Sequence, residues 1–186
     1  MPSPIDPFRS QFQLRKLEVE LGRFCALAES AAAGFRECLS QCLRKSSRSH
    51  PLVGQGTGQE LVSALAAELR ALRPLDAEDE QIVDDLCQRA QSLFEEADRV
   101  TRGIFATGAL CDHGRNVLYR LKSRRFEECG LSIERLQALA GEAAFVEQQA
   151  AVLLFSIRTG RSVADAVRTI HPRTALAQDA SADTGS

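Results

Sequence analysis

Chemistry in a polypeptide needs convergent polar groups. In this 186-residue chain they concentrate at Cys111-Asp112-His113-Gly114-Arg115. A thiol, a carboxylate and an imidazole together are candidates for binding a metal or relaying a proton. Their spacing argues against it. Cys111 and His113 stand two residues apart, which on a helix sends them to different faces. Neither the i, i+4 pair nor the Cys-x-x-Cys unit that zinc favours is present. The simpler reading makes Asp112 the cap of a restarted helix, with Gly114 permitting a close approach and His113 facing solvent.

The other reactive residues are more scattered. His50 precedes Pro51 and His171 precedes Pro172, both as solvent residues, and no Ser-His-Asp or Cys-His set can be placed by spacing. Glu142 and Glu147 share a helix but not an i, i+4 relation, and no Glu-x-x-His di-iron motif occurs. Gly54, Gly56 and Gly58 lack both the following Lys-Ser/Thr and the preceding strand of a phosphate-binding loop. A phosphohistidine role for His113 is a remaining alternative, although histidine-phosphotransfer proteins carry Lys-Gly shortly after the histidine and this chain carries Gly114-Arg115. Of the six cysteines, Cys25, Cys38, Cys42 and Cys87 lie on or beside apolar helical positions. They read as small reduced hydrophobes, which points to a reducing intracellular compartment, most simply the cytoplasm. The pair Cys38 and Cys42 resembles one of the twin Cys-x-x-x-Cys units of disulfide-stapled mitochondrial helical hairpins, without the second unit. These residues imply no enzyme, no cofactor and no metal.

The elements that carry them read as helices. Leu14, Leu17, Leu21, Phe24, Ala28, Ala31, Phe35, Cys38 and Cys42 recur at alternating three- and four-residue steps, a heptad seam on one helix from about Phe8 to Arg44. Residues 1–7, with Pro2, Pro4 and Pro7, form an extended lead-in, and Ser46 to Gly58 a loop and candidate hinge. A second helix, about Gln59 to Leu72, aligns Leu61, Leu65, Leu69 and Leu72. After Pro74, Asp76 caps a third, whose seam is Leu86, Ala90, Leu93, Ala97, Val100 and Ile104. Gly103, Gly108 and Gly114 each weaken a helix by about 1 kcal/mol relative to Ala, which places a break near Thr107–Asp112. The apolar face is expected to resume at Val117, Leu118 and Leu121. Cys129-Gly130-Leu131-Ser132 then makes a helix-to-helix turn, with Ser132 as cap and Leu131 facing Leu136 as a staple. Leu136, Leu139, Ala143, Val146, Ala150, Leu153 and Ile157 form a third clean seam, ended by Gly160. Ser162 with Asp165 caps a short helix to about Ile170, and 172–186 form a polar, disordered tail.

The expected fold is therefore all-α: a single antiparallel bundle over 8–171 with five to six helices and coiled-coil-like seams. A hydrophobic fraction of 44% and only 5% aromatics suit a core of Leu, Ala, Val and Phe. A net charge of -2 gives no general pull towards nucleic acid. The acids Asp76, Glu78, Asp79, Glu80, Asp84 and Asp85 and the bases Arg115, Arg120, Lys122, Arg124 and Arg125 follow helix-dipole preference. No apolar run approaches the roughly 20 residues of a bilayer span, and no N-terminal signal stands out.

Residues 114–125, Gly-Arg-Asn-Val-Leu-Tyr-Arg-Leu-Lys-Ser-Arg-Arg, resemble the centre of the motif in Golgi Qb-type SNARE proteins of the membrin kind, Gly-x-Asn-Ile-Leu-x-x-Leu-x-x-Gln-Arg. The likeness covers about a dozen residues. It implies a vesicle docking and fusion role, with Arg124 at the central ionic layer where the Qb class has Gln, and without a membrane anchor downstream. The reading that needs least chemistry is a non-enzymatic adaptor or scaffold subunit that docks a protein partner or a second copy through helical faces. Leu21, Phe24, Phe35, Leu93 and Leu153 would serve as core or interface, and Arg115, Arg120, Arg124 and Arg125 as a patch for an acidic protein. A metal-binding or phosphohistidine bundle is the third reading.

Overall fold

The computed structural model describes the backbone of residues 7–46, 56–101, 104–106, 117–122, 125–130 and 132–170, with side chains over 15–46, 56–101 and 132–170. Five helices lie among these residues: α1 (Pro7–Ser46), α2 (Gly58–Leu72), α3 (Ala77–Thr101), α4 (Ile133–Thr159) and α5 (Val163–Ile170). The class is all-α, a bundle of helices with one local exception between α3 and α4. Pro7, assigned above to the lead-in, is the first residue of α1, where its missing N–H is no loss. Most of the proposed hinge and the tail at 172–186 lie outside the described residues.

Local chemistry sets the helix ends. Asp76 Oδ1 accepts from the Asp79 N–H at 2.8 Å, opening α3. Ser132 and Ser162 do the same for Arg135 (3.1 Å) and Asp165 (3.0 Å), opening α4 and α5. These three caps follow the sequence expectation. A fourth was not anticipated: Thr57 and Glu60 form a reciprocal capping box, with the Thr57 N–H donating to Glu60 Oε2 at 2.8 Å. Gly160 ends α4 with φ +74, a left-handed conformation that a Cβ disfavours.

The helices cluster into two compact units, Met1–Ser30 with Ser92–Phe145, and Ala31–Gln91 with Val146–Ser186. In the first, Leu17, Phe24 and Ala28 of α1, Leu93, Phe94 and Val100 of α3, and Leu136, Leu139, Ala140 and Ala143 of α4 are buried. Gln137 donates to Glu20 at 2.9 Å, and Arg135 donates to Glu96 at 3.1 Å. In the second, the buried set is Phe35, Leu39 and Leu43 with Cys38 and Cys42 of α1, Leu61, Val62, Leu65 and Leu69 of α2, Val83 and Leu86 of α3, Ala150, Leu153 and Ile157 of α4, and Val163 of α5. There the Cys38 thiol donates to the Ala150 carbonyl at 3.4 Å, and Lys45 Nζ donates to the Ile157 carbonyl. Residue numbers rise together along both helices, so α1 and α4 run parallel here. A Cβ on Gly34 would stand 3.1 Å from the Ala150 Cβ, so the missing side chain permits this approach. The sequence neighbours α2 and α3 are joined near their connection, where Arg70 bridges Glu80 and Asp84, each at 2.6 Å.

One expectation is overturned. The seam does not run through Ile104 or resume helically at Val117, Leu118 and Leu121. Ile104–Ala106, Val117–Lys122 and Arg125–Gly130 form three strands, β1, β2 and β3, paired antiparallel in the order β1-β2-β3. Tyr119 pairs with both Ile104 and Glu128, and Lys122 pairs with Arg125 across two intervening residues. Cys129-Gly130 therefore ends a strand rather than a helix, although Ser132 caps α4 as expected. The glycines at 103, 108 and 114 already weaken a helix here. Val117, Tyr119 and Leu121 alternate with Leu118, Arg120 and Lys122 at period two, but over a stretch too short to separate from a helical stripe.

Candidate functional site

Among the described residues, the buried Asp79 and Ser156 serve the fold. Asp79, 3% exposed, accepts the Ala164 N–H at 2.9 Å through Oδ1, supplying the first turn of α5 with an acceptor from α3. Its Oδ2 lies 3.7 Å from Arg73 Nη2. Arg73, the residue after α2, also donates from Nη2 to Ser156 Oγ at 2.8 Å and from Nη1 to the Arg161 carbonyl. Ser156, buried in α4, donates in turn to that carbonyl at 2.8 Å. A carboxylate, a guanidinium and a hydroxyl thus clasp the ends of four helices through bonds to one another and to the backbone, with Arg73 Nε buried and without a hydrogen-bond partner.

The buried thiols among the described residues are equally unsuited to attack. Burial pushes Cys42 and Cys87 up to about 11 and raises Cys38 further, so all three stay protonated at neutral pH. Cys25 is raised by partial burial and then by Glu29. Among the described residues no group of three or more His, Cys, Asp or Glu side chains is placed to hold a metal ion. Cys111 to Arg115, His50 and His171 lie outside the described residues.

The residues singled out for interaction divide into three kinds. Phe24, Phe35, Leu93 and Leu153 are buried in the bundle, and Leu21 is half-buried. Arg120 lies on β2 in register with Glu127, and Arg125 opens β3. Arg115 and Arg124 lie outside the described residues, as do the other SNARE-like positions apart from Val117–Lys122 and Arg125.

The surface that stands apart is one the sequence reading passed over. The inner seam of α4 is buried from Leu136 to Ile157, yet its opposite face carries almost no charge. Gln137, Ala138, Gly141, Gln148 and Ala151 are exposed there, while Ala144, Phe145 and Phe155 are half-buried. Between Arg135 and Arg158 the only charged residues on α4 are Glu142 and Glu147, both half-buried with interactions of their own. The outer residues of α1 include Arg15, Glu18, Arg23 and Glu29, and those of α3 include Asp84, Asp85, Arg89 and Glu95, as a solvated helix requires. A Cβ on Gly141 would meet nothing within 4 Å, leaving the backbone open to close approach. By length and composition alone α4 could cross a bilayer, and a core helix has the same composition. The available signal was charge depletion: a stretch of helix longer than 20 residues with two acids in a chain that is 26% charged. Compared with protein-family models, curated proteins and solved structures, the chain matches none.

Proposed function

We infer that this chain is a non-enzymatic assembly module that meets another protein helix on the outer face of α4. The carrying observation is that the exposed residues of this helix between Arg135 and Arg158, namely Gln137, Ala138, Gly141, Gln148 and Ala151, carry no charge. A helix face in water ordinarily carries charge, and a partner helix on the Gly141–Ala151 stripe would account for its absence here. The inward commitment of the polar groups and the protonated state of the buried thiols support a binding role over a catalytic one. The same reading places Phe24, Phe35, Leu93 and Leu153 in the scaffold that holds α4 rather than at the contact.

The test compares capture by the native chain and by Gly141→Arg. The substitution enters open space, so the chain should stay folded, with unchanged helical circular dichroism. A stoichiometric protein captured by the native chain and lost with Gly141→Arg is the expected result. Equal capture by both chains would remove α4 from the account.

A further inference from the structure

We propose that the occupant of the outer face of α4 is the same helix of a second copy of this chain, packed antiparallel. The proposal rests on the assembly reading above and supplies its partner. Along α4, one uninterrupted helix, Glu134, Gln137, Gly141, Ala144, Gln148, Ala151, Phe155 and Arg158 recur at alternating steps of three and four. This is a second heptad seam, distinct from the buried one and composed for close approach.

The end charges decide its direction. In an antiparallel pair with the two-fold axis level with residue 146, one copy's Gly141 meets the other's Ala151, and Ala144 meets Gln148. Gln137 meets Phe155, and Glu134 meets Arg158 at both ends. A parallel pair would instead set Glu134 against Glu134 and Arg158 against Arg158, and like charges oppose pairing. Small residues facing small residues on both sides of the axis let the backbones approach as two larger side chains would not. An interface of this kind is isologous, so it closes at two copies. Gln137 already donates to Glu20 and Arg158 to Glu37, each at 2.9 Å, and exposed bonds of that type are readily shared or exchanged.

Sedimentation equilibrium of the purified full chain tests this. A species of twice the 20.3 kDa chain mass is expected, and Gly141→Arg should convert it to monomer with the thermal transition of the isolated chain retained. Glu134→Lys and Arg158→Glu should each weaken the dimer, by about three- to tenfold for two exposed pairs. The double variant should recover most of the native affinity, since the opposed charges are exchanged rather than lost. A chain that is monomeric at every concentration overturns self-pairing, and if Gly141→Arg still abolishes capture of another protein, the assembly reading survives. A dimer indifferent to Gly141→Arg overturns both. A double variant no better than either single one overturns the antiparallel arrangement.

Discussion

Replacing Asp79 with alanine tests whether the clasp between helix ends stabilises the fold. The carboxylate accepts the Ala164 N–H of α5 at 2.9 Å, and a charge-assisted bond of this kind is worth about 1.5–3 kcal/mol. It also stands 3.7 Å from Arg73 Nη2. Arg73 keeps Ser156 and the Arg161 carbonyl as acceptors in the variant but loses its neighbouring carboxylate, which adds to the loss. The expected loss for Asp79→Ala is therefore about 3 kcal/mol, which lowers the melting temperature by roughly 6–12 °C for a chain of this size. Asp79→Asn keeps an acceptor for Ala164 and should lose about half as much. Urea unfolding measures both, and amide exchange over 163–170 locates the effect, since α5 should lose protection before the rest of its unit. A change below about 1 kcal/mol, or uniform loss of protection, would show that the clasp is incidental.

Two further perturbations follow from the same packing. Gly34→Leu drives a side chain into Ala150, already 3.1 Å from an ideal Cβ, and should destabilise by about 1–3 kcal/mol. Gly22→Ala, in open space on the same helix, should stabilise by about 0.5–1 kcal/mol, and equal unfolding midpoints for the two would contradict the close α1–α4 approach. On the alkaline side, Cys42 and Cys87 carry folded-state values of about 11, raised above the ordinary thiol range by burial. Their contribution is complete below the unfolded thiol pKa near 8.5 and is lost as pH rises through about 11, because the unfolded chain then ionises more readily. Stability should fall over that window in the native chain, and a Cys42→Ala, Cys87→Ala double variant should have a shallower slope. An unchanged slope would mean the thiols are not buried as described.

Most of the helical frame could be read from residue spacing, because a buried stripe forces apolar residues into periodicity. Leu136 to Ile157 on α4 and Leu61 to Leu69 on α2 are buried at the positions their spacing assigns. The caps at Asp76, Ser132 and Ser162 were legible for a related reason: a side chain bonding its own local backbone is a short-range event. The region from Ile104 to Gly130 was not. Tyr119 pairs with Glu128 across a hairpin, and a six-residue strand offers too few repeats to distinguish the two periods. The parallel course of α1 and α4 was equally hidden, since loop length constrains only consecutive helices. The clasp on Asp79 escaped because Ser156 and Ala164 are distant in sequence, and Asp79 looked like one acid of a dipole-matched run. The outer face of α4 was hard to read for a different reason: a seam is marked by residues that are present, whereas this face is marked by charge that is missing.

The most direct test is the accessibility of that face in the intact protein. A Gln148→Cys chain, probed with a thiol reagent and resolved by mass, should be protected at position 148 at high protein concentration. Protection should disappear on dilution or on adding Gly141→Arg, while a cysteine placed at exposed Glu95 of α3 reacts at one rate throughout. Unprotected reaction at position 148 under all of these conditions, in the presence of the chain's captured partners as well, would mean that the charge-free side of α4 meets only water.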